Sequence, residues 1–129
     1  MASKNKGTRA ERELLHKFYD TKSWICLRAP GSGSIPIPSP DLLAGNGHRY
    51  LAIECKSVKN DSKYLTLKEI DDLIFFAKKF GAEPWVGIRF DNIGWYFISP
   101  DDLKKSGKMY VVSLKFAESM GVKFEELIV

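Results

Sequence analysis

Pro40-Asp41-Leu42-Leu43-Ala44-Gly45-Asn46-Gly47-His48-Arg49-Tyr50-Leu51-Ala52-Ile53-Glu54-Cys55-Lys56 is the stretch on which the fold turns. Asn46-Gly47 is a hairpin dipeptide, because both residues tolerate the positive φ that a tight turn between twisted strands demands. Strands are therefore expected over residues 41–45 and 49–56. Two registers are open. A two-residue loop sets Gly45 opposite His48 and leaves Asp41 one diagonal step from Glu54. A four-residue loop sets Gly45 opposite Tyr50 and Asp41 directly opposite Glu54. Opposite residues share a face and side chains alternate along a strand, so either register puts Asp41, Glu54 and Lys56 on one face. Only a one-residue slip, for example through a bulge, separates them.

Upstream of the hairpin, Thr8-Arg9-Ala10-Glu11 fits a capping box, with Thr8 as N-cap, and residues 1–7 read as a polar, mobile segment. Leu14, Leu15, Phe18 and Tyr19 follow at helical spacing. Residues 24–29 read as a strand. The Pro-, Gly- and Ser-rich run 30–40 excludes regular structure and forms a long loop leading into Asp41. Downstream, a helix is expected over 65–80, with Leu67, Ile70, Leu73, Ile74 and Ala77 on its apolar stripe, Phe75 and Phe76 widening it and Gly81 closing it. Strands follow over 85–90 and 95–98. Ser99 caps a short helix with Pro100 at its first position. A brief strand over 109–112 and helical turns over 114–120 and 123–127 complete the chain. This order predicts one α/β domain, residues 1–129, with a mixed sheet flanked by helices.

The bulk numbers fit that picture. The 129 residues carry a net charge of +4, from 20 Lys and Arg against 16 Asp and Glu. The hydrophobic share of 44% is enough for a core without staples. Cys26 and Cys55 sit in apolar runs and read as buried thiols rather than a disulfide or metal ligands. No stretch has transmembrane length and the N-terminus has no apolar signal region, so a cytoplasmic location is expected. The basic excess suits a polyanionic partner: Lys4, Lys6, Arg9 and Arg12 open the chain, and Lys59 and Lys63 follow Lys56. A solvated charged face explains the same residues equally well.

Two carboxylates opposed on a sheet repel unless something neutralises them, and a hard divalent cation does so. Asp41, Glu54 and the backbone carbonyl of Cys55 could hold Mg2+, with Mn2+ as a substitute. Such an ion polarises a phosphodiester and lowers the pKa of a bound water. Lys56 would orient that water or offset charge on the phosphate. Glu11 shares the helical face of Leu14, Leu15 and Phe18, so it either caps the helix or serves the site as a third acid. Ser32 and Ser34, between glycines, suit a flexible linker or a loop that touches phosphate. His16 and His48 have no ligand partner at suitable spacing and read as surface residues. No nucleophile-with-base arrangement, Walker loop or dinucleotide fingerprint is present.

The ordered set Gly7-Thr8-x-x-Glu11-Arg12-Glu13, Arg28-Ala29-Pro30-Gly31-Ser32-Gly33-Ser34, Pro40-Asp41-Leu42-Leu43-Ala44 and Ile53-Glu54-Cys55-Lys56-Ser57 resembles the archaeal Holliday junction resolvases of the Hjc/Hje type. The likeness runs through Ala77-Lys78-Lys79, about two-thirds of the chain. It implies a restriction-endonuclease-like fold, a symmetric homodimer and Mg2+-dependent paired cutting of four-way DNA junctions in recombination and repair. Carried over by position, Glu11, Asp41 and Glu54 would bind metal, Lys56 would be the catalytic lysine, Ser32 would assist at the phosphate and Arg28 would bind DNA. Glu69 stands where members often carry glutamine, and the C-terminal third matches poorly. A dimer would also account for Phe75 and Phe76, which give the 65–80 helix more apolar surface than one core needs. Other nucleases of the PD-(D/E)xK type, acting on duplex, flap or modified DNA, and a non-catalytic DNA-binding module of the same fold are the alternatives.

Overall fold

The computed structural model describes residues 2–29 and 37–129, with side chains from Gly7 onward. Helix α1 (Ala2–Asp20) leads into strands β1 (Ile25–Arg28), β2 (Leu42–Gly45) and β3 (Tyr50–Val58). Strand β4 (Ser62–Thr66), helix α2 (Leu67–Phe80) and strands β5 (Glu83–Phe90) and β6 (Gly94–Ile98) follow. A 3-10 turn (Pro100–Asp102), strands β7 (Lys104–Ser106) and β8 (Met109–Ser113) and helices α3 (Leu114–Met120) and α4 (Phe124–Leu127) end the chain.

The main sheet has five strands in the order β1-β2-β3-β5-β6, all antiparallel neighbours except the parallel pair β3 and β5. Strand β3 is central, and its Leu51, Ala52 and Ile53 are wholly buried, as a strand covered on both faces requires. Its odd-numbered residues from Leu51 to Cys55 pack with Ala10, Leu14 and Phe18 of α1. Ala52 and Val58 face the other way, toward Ile70, Leu73 and Ala77 of α2. A small second sheet, β4-β8-β7, sits beside the first. No helix among the described residues is long and apolar enough to cross a membrane.

The hairpin adopts the wider of its two registers, with Gly45 opposite Tyr50 and Leu42 opposite Ile53. The Asn46 side-chain oxygen selects it by accepting from both His48 N (2.9 Å) and Arg49 N (2.7 Å). Gly47 turns the chain at φ 93°.

Three expectations are corrected. Thr8 does not cap α1: the helix begins at Ala2, so Thr8 and Glu11 lie in its interior. No proline interrupts residues 2–7, and the lone Gly7 costs a helix only about 1 kcal/mol. The box is instead used one helix later. α2 starts at Leu67 rather than 65, and Thr66 accepts from Glu69 N (3.0 Å) while Glu69 Oε1 accepts from Thr66 N (2.9 Å). Residues 62–66 form β4 because they pair with β8, and β7 likewise exists through its pairing with β8.

Candidate active site

Proline 40 has no N–H to continue the ladder, so regular pairing of β2 ends at Leu42. Asp41 N still donates to Ile53 O (3.0 Å), and Asp41 O turns to accept from Ala29 N (2.9 Å). That leaves the Cys55 amide without a backbone acceptor on this side, and Asp41 Oδ2 takes it at 2.8 Å. The carboxylate is thereby pinned to the middle of β3. Glu54 and Lys56, on either side of Cys55, face α2, and Lys56 Nζ lies 3.8 Å from Glu54 Oε2.

Helix α1 approaches the same end of the sheet from the opposite face. Its Glu11 accepts from Arg28 Nε at 2.6 Å, and Arg28 Nη2 donates to Thr8 Oγ1 at 3.4 Å. Arg28, expected on DNA, thus anchors Glu11 at the edge strand while remaining half-exposed, with 31% of its side chain open. Lys56 also donates to Glu69 Oε2. Glu69 is the functional neighbour that residue-by-residue reading missed. Its signal was present as Thr66-x-x-Glu69, a capping box at the start of α2.

The electrostatics match a site short of positive charge. Burial pushes the Asp41 carboxyl up to about 6 against its ordinary 3.8, and the nearby Glu11 and Glu69 add to the rise while the Cys55 N–H and Lys56 oppose it. Burial and the charge of Asp41 push Glu54 up to about 8. Burial pulls Lys56 down, but the hydrogen bond and charge of Glu69, with Glu54 and Asp41, outweigh it and hold the ammonium above its usual range. Burial raises Glu69, and its bonds from Lys56 and Thr66 outweigh that and lower it.

Among the described residues no three His, Cys, Asp or Glu side chains enclose a ready-made cation cage. Three of the four acids already have tight partners: Asp41 the Cys55 amide, Glu11 Arg28, and Glu69 Lys56. Glu54, with Lys56 at 3.8 Å, is the least committed. The donor set still fits a hard divalent ion, since two buried carboxylates of raised pKa repel each other and present oxygen only.

The remaining expected residues fall into two groups. Ser32 and Ser34 lie outside the described residues, as do the side chains of Lys4 and Lys6, whose backbone belongs to α1. Arg9 and Lys59 line a polar cavity of about 430 Å³ with Glu13, Ser57 and Arg89, at the end of β3 and β5. Arg12 is exposed and Lys63 half-buried. His16 and His48 are exposed, and Cys26 and Cys55 are buried free thiols. Phe75 is 55% exposed, whereas Phe76 packs partly into the core and stacks on Phe80 at 5.3 Å between ring centres.

Comparison with known proteins now has a geometry to rest on. A family model described as archaeal Holliday junction resolvase (Hjc) matches residues 2–129. The chain is 38% identical to the crossover junction endodeoxyribonuclease Hjc of Archaeoglobus fulgidus, covering 95% of each chain. It is 32% identical to the protein of that name from Methanocaldococcus jannaschii, over 95% of this chain and 86% of that one. To the crossover junction endodeoxyribonuclease Hje of Saccharolobus solfataricus it is 31% identical over 74% of this chain and 72% of the other. The crystal structure of A. fulgidus Hjc, described as a Holliday junction resolvase from an archaeal hyperthermophile, superposes with a TM-score of 0.89 at 34% identity. It is matched over its whole length and 95% of this chain. With the family match spanning nearly every residue and the fold agreeing over the same length, the chain belongs to the archaeal Holliday junction resolvase (Hjc) family.

Proposed function

We propose that this chain is a structure-selective endonuclease that resolves four-way DNA junctions by paired, symmetric, Mg2+-dependent cleavage, acting as a homodimer. The observation that carries the reading is the pinned pair Asp41 and Glu54, buried and of raised pKa, beside Lys56 in a chain of this family. Asp41, Glu54 and the Cys55 carbonyl would hold the ion, with Glu11 as a further acid. When bound there, magnesium supplies Lewis-acid chemistry to the scissile phosphodiester.

The protein's own groups do the rest. The ammonium of Lys56 donates hydrogen bonds to the attacking water or to the phosphate oxygens, where negative charge grows. Water adds to phosphorus and one P–O bond to a deoxyribose breaks, leaving a phosphate end and a hydroxyl end. Burial of the site keeps each of these contacts strong. Arg9, Arg12, Lys59 and Lys63, together with Lys4, Lys6, Arg28, Ser32 and Ser34, would track the backbone, so affinity should fall steeply with salt.

Two symmetric nicks need two sites, and each chain has one. An apolar groove of about 600 Å³ supports a second copy: Ile25, Leu27, Tyr50 and Phe80 line it and are all exposed. Strand β1 is the edge of the sheet, and bare Ile25 and Leu27 there invite pairing with another chain. Phe75 and Ile74 extend the apolar surface along α2.

The test is cleavage of a labelled immobile junction beside its separate duplex arms, with Mg2+, Mn2+ or EDTA. Metal-dependent paired nicks on the junction alone support the reading. Equal cutting of the arms makes the chain a general duplex nuclease, and tight binding without cutting makes it a binding module.

A further inference from the structure

Glu69 uses its two carboxylate oxygens for separate purposes. Oε1 accepts from Thr66 N at 2.9 Å and lies 3.2 Å from Thr66 Oγ1, while Oε2 accepts from Lys56 Nζ. The first contact belongs to the capping box that starts α2, so this acid is fixed to a helix end rather than free on the surface. Lys56 arrives from the other side, on the central strand β3, with Glu54 at 3.8 Å. A lysine ammonium on its four-carbon stem has many rotamers open to it. Here the strand fixes one end of the side chain and the capped helix fixes the other.

We propose that Glu69 is a positioning residue of the site: its capping-box carboxylate holds the Lys56 ammonium in the pose from which it serves cleavage. This rests on Lys56 acting as the catalytic lysine, as argued above. The role needs an acid. A glutamine has one acceptor oxygen, so accepting from Thr66 N turns its NH2 toward the ammonium. Accepting from Lys56 instead turns its NH2 toward the Thr66 N–H. Only a carboxylate accepts at both ends. The start of α2 and the pose of Lys56 are therefore set by one side chain.

The full-length chain is compared as wild type, Glu69→Gln, Glu69→Ala, Thr66→Ala and Asp41→Asn. The readouts are single-turnover junction cleavage with Mg2+, junction affinity without divalent ion, and melting temperature. Glu69→Gln is expected to cut roughly 10–100-fold more slowly at unchanged junction affinity, as loss of a side chain that orients an active group does. Glu69→Ala should be at least as slow. Thr66→Ala weakens the cap but leaves the bond from Lys56 to Glu69, so it should melt earlier and still cut at the wild-type rate. Wild-type rates in both Glu69 variants overturn the proposal. So does faster cutting, which would mean that the contact parks the lysine, and so does an equal rate loss in Thr66→Ala, which would reduce Glu69 to a cap. An active wild type with inert Asp41→Asn and indifferent Glu69 variants refutes this proposal alone. An inactive wild type refutes the reading of the site beneath it as well.

Discussion

Asp41 carries two opposed demands. Its Oδ2 is needed by the Cys55 amide, while its charge is unwelcome in a buried setting shared with Glu54. Replacing it by asparagine keeps an oxygen for the amide and removes the charge. Asp41→Asn is therefore expected to lose junction cutting at least 100-fold, since one electrostatic group at a reacting centre is worth about 2.7–4 kcal/mol. The same variant should melt higher than wild type in EDTA, which differential scanning fluorimetry would show. The pH dependence follows from the same charges. Asp41 rises from 3.8 to about 6 and Glu54 from 4.5 to about 8, so both are easier to protonate folded than unfolded. Their contribution is fully present below the unfolded values and is lost as pH climbs through the folded ones. Metal-free protein should lose stability between about pH 4 and pH 8, by roughly 1–3 kcal/mol, and Mg2+ should restore it. A flat denaturation profile in EDTA would contradict this. These acids and Lys56 were legible from strand parity alone. Glu69 was not, because its link to Lys56 joins β3 to α2 across a turn whose length the sequence does not reveal.

Gly87 shows how tightly the central strands are built. A Cβ there would sit 2.9 Å from Phe97 Cε1 and 3.3 Å from Ile53 Cγ2, and both of those residues are fully buried. Gly87→Ala should cost about 1–3 kcal/mol by overpacking, seen as a lower urea midpoint at unchanged slope. The hairpin, α2 with its Gly81 cap, and the β5–β6 pair were all readable, since turn chemistry and apolar periodicity agree at each. Two strands escaped notice for a shared reason. Ser62-Lys63-Tyr64-Leu65-Thr66 buries only Leu65, and Lys104-Lys105-Ser106 buries nothing, so neither has an alternating pattern. Both are strands only because β8 arrives later in the chain to pair with them. The start of α1 was missed for the reverse reason: a good local capping motif was overridden by helix-compatible residues before it.

At the scale of the molecule, the five-stranded sheet keeps Asp41, Glu54 and Lys56 at one end of β3 and leaves the outer edge at β1 uncovered. Placing an aspartate on that edge tests whether a second copy covers it. Leu27→Asp combined with Phe80→Asp should shift the protein from dimer to monomer in sedimentation, since both side chains are more than half exposed in the single chain and their polar replacement leaves its core intact. An unshifted dimer would place the interface elsewhere. The most direct check of the whole account uses a supercoiled plasmid with an extruded cruciform. It is cut with Mg2+ by wild-type dimers and by mixed dimers carrying one wild-type and one Asp41→Asn chain. If each chain contributes one independent site built on Asp41, wild type yields linear plasmid and the mixed dimer yields nicked circles. Linear product from the mixed dimer, or no product from wild type, would contradict it.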